Sequence, residues 1–140
     1  LAAIGLTIET RAFPRAEMAA RAATRGEPFD LLLTGSHPAY PDPADIVSRL
    51  LDGRHLRAQD NFNLSYFDVS AVNRKLQRAD ALEVSARFAA FGRLEPELLR
   101  RYAPVAPLFH PYNYVLVSER VGCFSSSIAL GADYGSFCLN

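Results

Sequence analysis

The chain has 140 residues, 49% of them hydrophobic, and its fifteen basic and fifteen acidic side chains cancel. That length and composition suit one domain with an adequate core, and a zero net charge offers no global field for nucleic acid or an anionic membrane. No run of eighteen apolar residues occurs, which excludes a transmembrane helix.

Leu1–Gly5 reads as the last turn of a helix with Gly5 as its cap. With nothing before that turn, and no charged n-region or apolar h-region, the expectation is a fragment whose true N-terminus lies upstream. Thr7–Ala12 alternates with a period of two, Ile8 inward against Glu9 and Arg11 outward, and reads as a strand. Pro14 then opens a helix over Arg15–Arg25, where Ala16, Ala19, Ala20 and Ala23 form a small-residue face able to approach a sheet. Gly26 ends that helix, and Phe29–Thr34, with Leu31-Leu32-Leu33, reads as a second, buried strand. Thr7–Thr34 is therefore expected to be a right-handed β-α-β unit, and the fold class α/β.

A loop holding three prolines follows Gly35, and such a loop at a strand's C-terminal end is where open α/β sheets bind ligands. Asp42 before Pro43 is the expected N-cap of a short helix over Ala44–Leu51. Asp52–Phe67 has no clear period and reads as irregular, lying along a cleft or a lobe surface. Asp68 is the expected cap of Val69–Ala79, with Val69, Val72, Leu76 and Ala79 as its apolar stripe. A helix over Ala81–Phe91 is expected to stop at Gly92, and Pro96 to open another over Glu97–Tyr102. The pairs Glu83/Arg87 and Glu97/Arg101 stand at i,i+4 in the favourable order and read as a solvated face. Ala103–Ser118 carries two short apolar runs around Pro111. The tail after it is weakly patterned, and its Ser125-Ser126-Ser127 run has no evident physical role.

The segment Phe29–Pro43, FDLLLTGSHPAYPDP, resembles the sheet-to-cleft signature of the family 5 extracellular solute-binding proteins, the dipeptide/oligopeptide-binding receptors of bacterial ABC importers. Phe29, Asp30, Gly35, Tyr40, Pro41, Asp42 and Pro43 match that signature. Ser36 stands where the family usually has Trp, and Ala39 where it has Asp. A second similar segment is Ala103–Phe109, APVAPLF, where the family's chain crosses from its second lobe back to the first.

The resemblance implies the C-terminal fragment of a two-lobed, type II periplasmic-binding-protein-like fold. Residues 1–108 would be the C-terminal portion of the second, ligand-binding lobe, and residues 109–140 the hinge crossing and a tail returning to the first. Phe109, His110 and Pro111 would form a hinge strand. Ser36, His37, Ala39, Tyr40, Asn61 and Phe62 would line the cleft. It further implies an extracytoplasmic location with a lipid anchor upstream, and as partners a small solute, an ABC permease and the N-terminal lobe. Nucleic acid, cofactors, metals and catalysis have no part in that expectation. In relatives the Asp meets a peptide's α-ammonium. Ala39 cannot, so a peptide N-terminus is not expected to be held in the usual way, and Tyr40 remains the best ligand contact.

Two other classes stand beside this one: a non-binding remnant of a receptor lobe, and a small hydrolase-like enzyme using His37 or His110 with Asp42. The latter lacks the G-x-S-x-G elbow, and the three histidines lack HExxH spacing or a cysteine partner. Cys123 and Cys138 are the only cysteines. Two buried thiols and one disulfide both remain open, the disulfide closing a loop worth roughly 3 kcal/mol.

Overall fold

The computed structural model describes residues 1–110, 112, 114–127 and 131–140. The fold is mixed α/β, with four α-helices and two small antiparallel strand pairs. Helices α1 (Arg15–Ala22), α2 (Pro43–Leu51), α3 (Ser70–Asp80) and α4 (Val84–Arg101) come first. Strands β1 (Val121–Gly122), β2 (Ser126–Ser127), β3 (Gly131–Ala132) and β4 (Cys138–Leu139) close the chain.

The core lies between α2, α3 and α4. Val47 and Leu51 of α2 meet Val72, Leu76 and Ala79 of α3 and Phe91, Leu94 and Leu98 of α4. Each set repeats at three, four or seven residues, which puts it on one helical face. Asp42 caps α2 as expected, its Oδ1 accepting the Ala44 N–H at 2.9 Å with Pro43 in the first turn. The α3 cap differs from expectation. Val69 holds the N-cap position, and Asp68 instead accepts a hydrogen bond from Asn73 Nδ2 at 2.8 Å. Asn73 is buried, and its Oδ1 accepts the Gly53 N–H at 3.0 Å.

This knot leaves no room at Gly53. A Cβ built there would collide with the Asp68 carboxylate and stand 2.6 Å from its Cα. Gly53→Ala is therefore expected to cost about 1–3 kcal/mol, because backbone as well as side chain must shift. Urea denaturation checks this, and an unchanged midpoint would contradict it.

Ser48 of α2 donates its hydroxyl to Asp80 of α3 at 2.9 Å. Burial pushes the Asp80 carboxyl above its ordinary 3.8, while the Ser48 hydrogen bond pulls the other way. A raised native pKa contributes stability below pH 3.8 that is lost as the pH climbs through the native value. The melting temperature of Asp80→Asn relative to the wild type should accordingly rise from about pH 4 upward and then level off. A flat difference across that range would refute the assignment.

Three expectations fail for one reason. Residues 7–12 and 29–34 form no strand, and among the described residues there is no β-α-β unit. Ile8 is 50% exposed, and Leu31 and Leu33 are 73% and 77% exposed. Alternation prepares a strand's faces, but the ladder needs a neighbouring backbone, and among the described residues none is hydrogen-bonded to these segments. The alanine face of α1 likewise meets no sheet. Ala16, Ala19 and Ala20 are exposed, and only Ala22 is buried. Phe109 and His110 of the expected hinge strand are irregular and exposed, whereas Pro111 lies outside the described residues.

The expected break at Gly92 also fails, since α4 runs through both Gly92 and Pro96. Its stripe Phe91, Leu94, Leu98 crosses both positions, and burial holds the helix together. Arg87 is not on a solvated face. It forks onto Asp42 Oδ2 through Nε at 2.9 Å and Nη2 at 2.5 Å, tying α4 to the start of α2. Glu97 pairs with Lys75 at 2.6 Å, across to α3.

In the tail Cys123 and Cys138 are joined as a disulfide, with Cα atoms 5.4 Å apart. The bond lies against the β1–β4 pair, where Gly122 faces Cys138, while β2 pairs with β3. The serine run thus has a role, since Ser126 and Ser127 are β2 and the Ser125 carbonyl accepts the Asp133 N–H. Phe137 packs edge-on to Tyr134 and tilted to Phe124.

The total accessible surface is 10867 Å2. A compact monomer of 15.4 kDa exposes about 7,200 Å2. The excess lies on the chain segments that flank the three-helix core. Leu1, Ile4, Leu31, Leu33, Leu108, Phe109, Tyr114 and Leu116 are all more than half exposed.

Candidate functional site

The segment 57–66 is held in place by asparagine. Asn61 donates through Nδ2 to the carbonyls of Ala23 and Arg57, each at 2.9 Å, and its Oδ1 accepts the Arg57 N–H at 2.8 Å. Asn63 closes the next turn, donating to the Phe67 carbonyl at 2.7 Å and accepting its N–H. The Tyr66 hydroxyl donates to the Ala22 carbonyl at 2.8 Å, so the end of α1 is fastened to the same loop.

On the other side lies the proline loop. The buried carboxylate of Asp45, in the first turn of α2, accepts the Ala39 N–H at 2.5 Å. Arg49, one turn further, donates through Nη2 to the His37 carbonyl at 2.9 Å and, at 3.5 Å, reaches the Ser36 hydroxyl. The same guanidinium stands 3.8 Å from Asp45 and 4.9 Å from the centre of the Phe62 ring. Arg49 is thus the bridge between loop 36–40 and loop 57–63.

Between the two loops lies a cavity of about 370 Å3. Tyr40, Asn61 and Phe62, which sequence reasoning put in a cleft, do line it. Ser36, His37 and Ala39 do not. They are bonded instead to Asp45 and Arg49, two residues of its wall, Ala39 through its backbone N–H and not its side chain. The amide of Asn61 serves three internal hydrogen bonds, so its part in the wall is structural. Sequence reasoning missed Asp45 as an anchor, and Arg49, His55 and Arg57 as lining residues; Asp60 it named only as an alternative carboxylate for a ligand ammonium. The i,i+4 placement of Asp45 and Arg49 on α2 was the available signal.

Asp42 carries both its cap and its Arg87 pair, and among the described residues no hydrogen bond joins it to His37. Among the described residues no cluster of three His, Cys, Asp or Glu side chains could hold a metal. No described helix is long and apolar enough to cross a membrane. Beside the cavity, Asp52 is fully buried. Burial raises its carboxyl, but the Arg54 side-chain and backbone hydrogen bonds outweigh that and leave it below its usual value. His55 Nδ1 stands 3.9 Å from the same carboxylate.

Asp45→Ala is expected to free loop 36–40. It leaves the Ala39 N–H without its acceptor and Arg49 without its counter-charge, at about 1–3 kcal/mol. Hydrogen exchange at Ala39 should accelerate strongly while the amides of α3 stay protected. Equal protection in the variant would show that Asp45 does not hold the loop.

Comparison with known proteins returns nothing: no family model, no curated protein and no solved structure matches this chain.

Proposed function

We propose that the chain is part of the substrate-binding component of an ABC-type importer, capturing a small solute in a cleft of which the Tyr40–Phe62 cavity is one wall. The reading rests on the resemblance of Phe29–Pro43 to the family 5 solute-binding signature. The observation that carries it furthest is the seating of loop 36–40 on α2, beside a cavity it shares with Tyr40, Asn61 and Phe62.

The bare apolar segments support the same reading. The surface beyond that of a compact monomer lies on segments a second lobe of the same receptor would cover, and it is more than the roughly 1,000–2,500 Å2 an obligate interface buries on one partner. The alternating segment 7–12 and the apolar segment 29–34, without strand partners among the described residues, are where that lobe or its sheet would add a ladder. Such a fragment belongs to a type II periplasmic-binding-protein-like architecture, with residues 109–140 as the crossing and tail. The Cys123–Cys138 disulfide suits an extracytoplasmic location, where such bonds persist.

In this mechanism the chain catalyses nothing. Two lobes close about a hinge, and the solute shifts the open–closed population by its greater affinity for the closed state. The closed form docks on a membrane permease, and other subunits hydrolyse ATP. With Ala39 in place of a carboxylate, the solute is not gripped by a peptide ammonium at that position.

The test is thermal stability of the protein, expressed with its flanking coding sequence, against peptides, sugars, organic acids and amines. A bound solute at a hundred times its Kd should add about 2.7 kcal/mol. A well-folded protein that responds to none of them would overturn the receptor reading in favour of a remnant.

A further inference from the structure

We propose that the cavity takes the oxyanion of a small organic acid, held by Arg49 and Arg57, with a hydrogen-bond donor of the same solute directed to Asp60. This deepens the receptor reading above and rests on it.

Arg49 is oriented before any ligand arrives. Asp45, the His37 carbonyl and the Phe62 ring hold its guanidinium from three directions. Its Nε is nevertheless the only buried side-chain nitrogen or oxygen without a hydrogen-bond partner among the described residues. An unpaired buried N–H is costly, and more so on a charged group. An oxyanion that hydrogen-bonds to this N–H supplies the missing acceptor and recovers that cost. Planar, bidentate carboxylate or phosphate binding is the chemistry arginine is best shaped for.

Arg57 reaches the same cavity from the opposite loop. It is exposed, and among the described residues its hydrogen bonds are those of its backbone N–H and carbonyl to Asn61, none of its guanidinium. Asp45 is the counter-ion of Arg49, and its Oδ2 is already committed to the Ala39 N–H, so the further positive charge in the wall is that of Arg57. Asp60 is the remaining carboxylate in the wall, and no side-chain hydrogen bond occupies it among the described residues. It asks for a donor, not a second anion. Tyr40 and Phe62 supply apolar area for the body of the solute. The chemistry required is thus an acid that also carries a hydroxyl or amino group.

The experiment is titration of the 15N-labelled chain with 4-hydroxybenzoate, its neutral isostere 4-hydroxybenzamide, the amine tyramine, and inorganic phosphate. Saturable shifts at residues 49–62 with 4-hydroxybenzoate, and affinity about tenfold weaker for the amide, are expected. Arg57→Gln should weaken the acid by a similar factor and leave the amide unaffected. Among the described residues the Arg57 guanidinium makes no hydrogen bond or ion pair, so the variant stays testable if Arg49→Met loosens the loop.

Phosphate binding that also depends on Arg57 would support the oxyanion site and name phosphate esters as its source. Amide or tyramine binding as tight as the acid would overturn the anion inference while leaving a solute site in place. No binding by any probe, at concentrations where the spectrum remains folded, would overturn the oxyanion inference, while the receptor reading stands or falls on the thermal-stability test of the longer protein.

Discussion

Phe91→Ala is expected to cost about 3–5 kcal/mol and to shorten α4, not merely to loosen its packing. Phe91 is 2% exposed, and it stands immediately before Gly92 in an 18-residue helix that also contains Pro96. Glycine inside a helix costs about 1 kcal/mol relative to alanine and proline about 3 kcal/mol. Those penalties fall within five residues, and local propensity alone would end the helix there. The burial of Phe91, Leu94 and Leu98 on one face offsets them. Removing the ring takes away the anchor on the N-terminal side of the weak point. Circular dichroism should therefore show a loss of helix together with a lower midpoint.

The control is Gly92→Ala. A Cβ at that position meets no atom within 4 Å, so this change should stabilise by about 0.5–1 kcal/mol. A Phe91→Ala variant of normal helix content and stability would mean that something other than this stripe keeps α4 continuous.

Cys123→Ser is the second change with a large expected effect, and it is a local one. The bond closes a loop across a sequence separation of 15, worth about 3 kcal/mol in chain entropy. The strands it supports are two residues long, far below what holds a hairpin together in water. The backbone hydrogen bonds of Val121, Asp133 and Asn140 end on Ser118, Ser125 and Arg120, within the tail itself. Loss of the bond should abolish amide protection over residues 121–127 and 131–140 while the melting of the three-helix core stays within 1–2 °C, a shift of about 0.3 kcal/mol. A large drop in core melting would show that the tail is packed on the helices.

What could be read from the chain divides along a physical line. Helices α2 and α3 were legible because a helix is specified by its neighbours in sequence. Asp42 before Pro43 meets an orphan N–H two residues on, and Val72, Leu76 and Ala79 fall on one face by spacing alone. The same logic misled at α4, where Gly92 and Pro96 are true local breakers overruled by a core that the spacing does not display. It misled at Asp68 too, whose side chain was claimed by Asn73 rather than by the helix end.

The candidate site divides in the same way. Tyr40 and Phe62 could be named as lining residues from motif and residue type. That Arg49 would join their two loops, or that Asp45 would occupy the Ala39 N–H, could not be named. Those bonds link residues 6 to 13 positions apart or further, through side chains whose directions depend on how α2 is turned.

By itself the sequence determined the Asp42 cap, the apolar stripes of α2 and α3, the proline-shaped loop and the presence of two cysteines, because each depends on groups within a turn or two of one another. Tertiary structure alone decided that the cysteines pair, that α4 stays whole, that the alternating segments 7–12 and 29–34 carry no ladder, and that two arginines face one cavity. Each of those outcomes needs a partner remote in the chain, and a strand or an ion pair exists only where that partner's backbone or charge is delivered.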